Sequence, residues 1–291
     1  MSVSVYAPMR SPRPIPREHR LSVADFQSRY AALEKPVIIT GALEDWKPMQ
    51  AWTREYVRAE QPTRAVSVDR ALGNEDFDYE RGKVLLDERF SWAQFVDRVF
   101  EVDPNGLRYY LGQANLFTFP RLAADVTPPP YFPAPPQTSN LWIGSTGNVT
   151  KAHFDTEDNF LVQVRGRKRL LLFPSTEWRR LYPSSPLSIR PNFSQVDFRN
   201  PDAARFPQFQ EATVYEAELG PGEMLYLPIY WFHEVYTLEG GISVNFWWRP
   251  TVGQALRANG LHYWPKAARD GYLLRHVAGL ATRALKSAVG R

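Results

Sequence analysis

The sequence predicts a mainly β protein, a sandwich or barrel of antiparallel strands with flanking helices. Three observations carry this. From Asn140 onward short β-like runs follow one another at 140–145, 159–164, 168–173, 213–218, 224–227, 233–238 and 242–248, with turn signals at Gly147-Asn148, Gly166, Gly220-Pro221-Gly222 and Gly240-Gly241. The 25 prolines and the 14% aromatic fraction favour turns and strands over a helix bundle. A chain of 291 residues that is 44% apolar and 23% charged can bury a sizeable core, which excludes a disordered chain or a coiled coil.

Each element has a local reason. Residues 1–20, with prolines at 8, 12, 14 and 16, read as a flexible arm. Ser22 to Leu33 reads as a helix, with Val23, Phe26, Tyr30 and Leu33 on one stripe and Ser22 as its N-cap. Pro36 to Thr40 reads as a short buried strand that ends at Gly41. Trp52 to Arg58 and Ser91 to Phe100 read as helices, and Ala65 to Val68 and Arg108 to Leu111 as strands. Leu122 to Thr138 is a proline-rich connector without a core pattern. The loop 174–212 is long enough to be functional or to hold short helices. Gly253 to Arg291 reads as two helices, the second with an apolar stripe of Leu273, Val277, Leu280, Ala284 and Ala288. The organisation is an arm over 1–20, an N-terminal α/β part over 21–139, a barrel over 140–250 and C-terminal helices over 251–291.

The net charge of +4 is unevenly spread. From Arg249 to the end there are eight Lys or Arg and one acid, so the remainder carries 27 basic and 30 acidic groups. The basic pI belongs to the tail, which weakens a nucleic-acid reading based on charge alone. No apolar run approaches the roughly 18 residues of a membrane helix. The polar, basic start reads as no signal peptide. Cys is absent, which excludes disulfides, thiol chemistry and thiolate zinc sites, and a cytoplasmic setting fits.

The chemistry lies among five histidines. His153-Phe154-Asp155 places an imidazole and a carboxylate two residues apart, on one face of an extended segment. His233 follows Asp155 by 78 residues, at the head of another predicted strand that an antiparallel return brings back. Two imidazoles and one carboxylate leave three octahedral positions open, the arrangement of a non-haem Fe(II) site that takes an oxo-acid and O₂. Zinc accepts the same ligands. Lys168 opens the otherwise apolar run Lys168 to Phe173. Facing inward, its ammonium needs an anion such as a dicarboxylic co-substrate, with Thr150 and Tyr110 as further hydroxyl donors. Facing outward, it belongs to a basic turn. His19, His262 and His276 have no partner at telling spacing and read as structural or exposed.

The stretches Gly147-Asn-Val-Thr-Lys-Ala-His-Phe-Asp-Thr-Glu-Asp-Asn159 and Gly166-Arg-Lys-Arg-Leu-Leu-Leu-Phe-Pro174 resemble the iron-binding region of the Jumonji-C and cupin-like 2-oxoglutarate oxygenases. Ser194 to Asp202, Arg205 to Phe209, Gly220 to His233 and Gly240 to Trp247 are most similar to the asparaginyl hydroxylase of that family that inhibits hypoxia-inducible factor. Lys35 to Gly41 with Asp45-Trp46 is similar to the family's N-terminal part. The resemblance implies a double-stranded β-helix, a jelly-roll core. It implies Fe(II) on His153, Asp155 and His233, and 2-oxoglutarate with its far carboxylate on Lys168, Thr150 and Tyr110. Asn159 and Asn245 match positions beside the metal and the near carboxylate. The implied chemistry consumes 2-oxoglutarate and O₂, releases succinate and CO₂, and abstracts hydrogen from a C–H bond. The C-terminal helices resemble dimerising helices, which implies a homodimer.

Asn192-Phe193 departs from the polar pair with which the asparaginyl hydroxylase contacts its target peptide, while Trp247 matches an aromatic near the target side chain. These three residues are read as substrate-binding. A protein or peptide hydroxylase is the leading expectation. A small-molecule or tRNA-base hydroxylase, and a non-catalytic cupin-like binding module, are the alternatives.

Overall fold

In the computed structural model, which describes residues 10–72, 85–101, 103, 106–133, 135–185, 188, 190–251 and 254, side-chain alternation along two long strands builds the fold. The described strands are β1 (Arg13–Pro14), β2 (Arg17–His19), β3 (Val37–Thr40), β4 (Ala65–Leu72), β5 (Leu85–Ser91), β6 (Leu107–Asn115), β7 (Thr138–Gly144), β8 (Val149–His153), β9 (Asp158–Phe173), β10 (Tyr215–Leu219), β11 (Met224–Leu227) and β12 (Phe232–Trp248). The helices are α1 (Val23–Arg29), α2 (Lys47–Ala51), α3 (Arg54–Arg58), α4 (Trp92–Phe100) and α5 (Pro120–Asp125).

β9 and β12 pair antiparallel almost from end to end. Their halves serve different neighbours. The half of β9 before Gly166 and the half of β12 after Gly241 extend into the order β2-β3-β11-β9-β12-β7-β6-β4-β5. The other halves are flanked by β10, with β1 beyond it, and by β8. The two runs expected on each side of Gly166 and of Gly240-Gly241 are therefore single strands with a corner. Backbones cross closely there. Gly166 has φ +72, and a Cβ on it would lie 2.6 Å from the carbonyl oxygen of Glu239. A Cβ on Gly241 would collide with the carbonyl of Arg165. Only glycine permits this approach.

The corner also changes which residues face inward. Before it, Phe160, Val162 and Val164 of β9 face the helices, and Asn159 and Leu161 line the barrel. After it, Lys168, Leu170 and Leu172 point inward, while Leu171 and Phe173 join a core under the loop 174–214. A one-residue slip of this kind flips faces because the strand period is two. On the helix side Phe160 packs against Phe26 at 5.1 Å, Phe132 at 5.5 Å and Trp248 at 5.3 Å between ring centroids. Truncating such a ring to Ala costs about 3–5 kcal/mol.

The helices follow their caps. Ser22 accepts the Asp25 N–H at 3.0 Å, and α1 stops at Arg29, with a separate 3₁₀ turn over Ala31–Leu33 where one longer helix is expected. Tyr30 leaves helical geometry there, and Glu34 adopts φ +52. Ser91 and Gln94 form a reciprocal capping box on α4, whose Trp92, Phe95, Val96 and Val99 are buried.

Two expectations are corrected. Residues 13–19 are no loose arm: β1 pairs parallel with β10, β2 pairs parallel with β3, and Ile15 between them is buried. Pro14 sits at a sheet edge, where its missing N–H costs nothing. The connector 122–138 does contribute to the core, through Leu122, Tyr131 and Phe132. Leu122 belongs to α5, and Tyr131 and Phe132 reach the core from a proline-flanked turn that has no periodic pattern. The predicted helices over 253–291, and the homodimer built on them, lie outside the described residues apart from Gln254. Among the described residues no helix is long and apolar enough to cross a membrane.

Candidate active site

Strand pairing brings the three predicted ligands together. His153 ends β8 and sits opposite His233 of β12, with ring centroids 4.4 Å apart. Asp155 lies just beyond β8, and its carbonyl oxygen accepts the Tyr230 N–H at 3.0 Å. Tyr230 has φ +62, a left-handed conformation that costs a non-glycine residue about 1–2 kcal/mol and turns the chain from β11 toward His233. Nε2 of His153 lies 3.8 Å from Oδ1 of Asp155, and Nε2 of His233 lies 3.9 Å from Oδ2. The three donor groups all fall within 4.8 Å of one another.

The imidazoles are oriented by the backbone. Nδ1 of His153 is 2.8 Å from the carbonyl oxygen of Lys151, and Nδ1 of His233 is 3.1 Å from that of Trp231. A carbonyl only accepts, so each neutral ring carries its proton on Nδ1 and keeps the Nε2 lone pair toward Asp155. Two such lone pairs beside a carboxylate fit a divalent transition metal. Phe193 stacks on the His153 ring at 5.1 Å and 18°. Glu234, next to His233, accepts the Ala152 N–H at 3.2 Å and so ties the two ligand strands together. It also accepts the Tyr236 hydroxyl.

Lys168 faces inward. It is 5% exposed, lines the same inner pocket as the three ligands, and has no carboxylate within ion-pair distance among the described residues. Burial pushes its ammonium down to about 8. Thr150 Oγ1 donates to the Tyr110 hydroxyl across 3.5 Å in that pocket. Burial raises the Tyr110 hydroxyl pKa. The neighbouring Tyr109 packs the other way, against Phe90. Asn159 and Asn245 also line the inner pocket, and Nδ2 of Asn245 donates to Oδ1 of Asn159 at 3.1 Å.

The inner pocket, of about 50 Å³, shares Tyr110, Trp142, Thr150, His153, Asp155 and Trp247 with an outer cavity of about 620 Å³. Asn192, Phe193 and Trp247 line that outer cavity. So do Trp142, Gln137, Glu157 and Arg190, which sequence reasoning did not single out. Trp142 lies two residues after Asn140 on β7, and strand alternation was the signal available for it. Asp158 was also missed. It is buried, accepts the Tyr226 hydroxyl at 2.9 Å and the Ile229 N–H at 3.1 Å, and burial pushes it up to about 6. Its bonds brace the turn that leads into His233. His19 is exposed beside Thr40, away from this site. His262 and His276 lie outside the described residues.

The profile of the cupin-like domain family matches residues 23–254. The chain is 34% identical over 240 residues to lysine-specific demethylase 8 of Xenopus tropicalis, an alignment covering 80% of this chain and 52% of that protein. It is 32% identical over 234 residues to lysine-specific demethylase JMJ30 of Arabidopsis thaliana, covering 78% and 53%. It is 28% identical over 254 residues to tRNA wybutosine-synthesizing protein 5 of Mus musculus, covering 81% and 78%. The chain thus spans about half the length of the demethylases it matches. These relatives are not the asparaginyl hydroxylase that the motifs between 194 and 247 resemble, so the relationship holds at the level of the family. A match over most of the chain, together with a mainly β fold, makes this protein a member of the cupin-like domain family.

Proposed function

We propose that this protein is an Fe(II)- and 2-oxoglutarate-dependent dioxygenase that hydroxylates a C–H bond of a protein or peptide side chain. The stoichiometry is R–H + 2-oxoglutarate + O₂ → R–OH + succinate + CO₂. One observation carries the reading: His153, Asp155 and His233 line the same small pocket as Lys168, a buried ammonium without a carboxylate partner among the described residues. Bound Fe(II) supplies the O₂ chemistry that oxidises the C–H bond. The chain's own part is placement. His153, Asp155 and His233 hold the ion. Lys168, with Thr150 and Tyr110, takes the far carboxylate, and Asn159 and Asn245 orient the near end. Trp247, Asn192 and Phe193 form the substrate wall. The stretch 140–250 is the catalytic core, and a cytoplasmic setting suits its Cys-free composition.

The test is succinate formation by the purified protein. It is expected to require both Fe(II) and 2-oxoglutarate and to vanish in Asp155→Ala. Turnover that persists in that variant overturns the reading. Binding of 2-oxoglutarate separates the enzyme from a non-catalytic cupin-like module.

Two relatives bear demethylase names, which favours a methylated amine as an alternative substrate. Hydroxylation of an N-methyl carbon releases formaldehyde, so formaldehyde beside succinate identifies that case. A third bears a tRNA-modification name and is covered over most of its length, which motivates a tRNA-base hydroxylase, as does the basic tail. Absence of RNA affinity at low salt removes it.

A further inference from the structure

Four polar side chains beneath the outer cavity form a hydrogen-bonded chain. Trp142 and Asn140 lie on β7, Asn245 on β12 and Asn159 on β9. Nε1 of Trp142 donates to Oδ1 of Asn245 at 2.8 Å, and Nδ2 of Asn140 donates to the same oxygen at 3.1 Å. Nδ2 of Asn245 then donates to Oδ1 of Asn159 at 3.1 Å.

Amides are reversible: a carboxamide turned by 180° exchanges donor for acceptor. Three asparagines alone would satisfy one another in either direction. The indole breaks this symmetry, because its N–H only donates. Asn245 must therefore present oxygen to Trp142 and nitrogen to Asn159. Asn159 must spend its oxygen on Asn245, which leaves its NH₂ as the edge free for the inner pocket. Asn159 is 5% exposed and lines that pocket with Lys168. In the reversed chain Asn159 would offer a carbonyl oxygen to the same space, where an anion is repelled.

We propose that Trp142 is a positioning residue that sets the polarity of this amide relay, so that Asn159 offers a hydrogen-bond donor to the anionic co-substrate. The inference rests on the 2-oxoglutarate reading above. It adds a role for an indole whose ring also packs beside Tyr110 at 6.0 Å and Trp247 at 6.4 Å. Trp142→Phe keeps most of that packing and removes only the fixed donor.

The experiment is calorimetric titration of 2-oxoglutarate into the Mn(II)-loaded full chain. Trp142→Phe is expected to weaken 2-oxoglutarate about tenfold, the worth of one charge-assisted hydrogen bond, with Mn(II) affinity unchanged. In an Asn159→Ala background the same substitution is expected to have no further effect, since the group it orients is gone. A second measurement needs no variant of Trp142. In the Zn(II)-loaded protein the Asn159 side-chain NH₂ resonances, assigned by their loss in Asn159→Ala, shift when 2-oxoglutarate is added. Wild-type protein that binds no 2-oxoglutarate overturns the underlying function. Wild-type binding with Trp142→Phe equally tight, an undiminished effect of Trp142→Phe without Asn159, or unmoved Asn159 resonances overturns the relay and leaves the function standing.

Discussion

The two ends of the inner pocket are held in opposite ways. At the end assigned to the metal, two main-chain carbonyls orient the imidazoles, and the Tyr230 N–H ties down the Asp155 backbone. At the other end, which the proposed function assigns to the anion, Lys168 is buried without a counter-charge among the described residues, and its ammonium is pushed down to about 8. One end has its imidazoles oriented by the backbone. The other carries an electrostatic cost that a ligand relieves. Stability and binding should therefore respond differently to substitutions at the two ends.

The largest expected effect is at the metal end. His233→Ala is expected to weaken Mn(II) by more than about a hundredfold, beyond the range seen for groups that merely support a ligand, and to abolish succinate formation. Calorimetric metal titration checks it, and tight binding that survives would remove His233 from the ligand set.

At the anion end Lys168→Met separates binding from folding. Binding of 2-oxoglutarate is expected to fall about a hundredfold, because a charged hydrogen bond is worth roughly 1.5–3 kcal/mol or more in a buried site. In the absence of co-substrate the melting temperature is expected to rise by about 2–4 °C, as a buried unpaired charge disappears. A lower melting temperature would mean that Lys168 is satisfied within the protein.

Smaller still is Phe193→Ala. Removing the ring stacked on His153 costs about 1 kcal/mol of support, so metal affinity is expected to drop a few-fold, with 2-oxoglutarate affinity little changed.

The pH dependence is the finest probe. Lys168 titrates near 8 in the folded protein, below its ordinary 10.5. Between those values the unfolded chain holds a proton that the folded one releases, so the stability of the ligand-free protein gains from Lys168 as pH rises. Co-substrate affinity moves the other way and weakens above pH 8. Asp158 has the opposite sign. Its folded value near 6 lies above its ordinary 3.8, so its contribution to stability falls as pH rises through that window. Denaturant melts of Lys168→Met and Asp158→Asn beside the parent, from pH 4 to 10, isolate both contributions.

The convergence of His153, Asp155 and His233 was legible in the sequence because two of the three stand two residues apart. His153 and Asp155 share a face by alternation, and His233 needs only an antiparallel return. The anion end was less so. Whether Lys168 points inward depends on the reversal of facing across Gly166, and Gly166 was read as a turn between two strands. The same misreading split β12 at Gly240-Gly241. β8 was missed because Lys151 and Thr150 interrupt its apolar pattern, and Lys151 is nonetheless buried. Edge strands β1 and β2 were hidden by prolines that suit an edge. The outer cavity was least legible, since Gln137, Glu157 and Arg190 come from three separate segments that only the tertiary fold joins.

The glycine corner has a consequence for redesign. β9 reaches the pocket through Asn159 on one side of it and Lys168 on the other. β12 does so through His233 and Asn245. The corner is thus a ruler: it sets the span between the His153, Asp155 and His233 cluster and the Lys168 ammonium, although neither Gly166 nor Gly241 touches that space. Re-engineering this scaffold for a shorter or longer diacid begins at those two glycines, and a transplant of the chemistry into another barrel has to carry both strands across the bend as one piece.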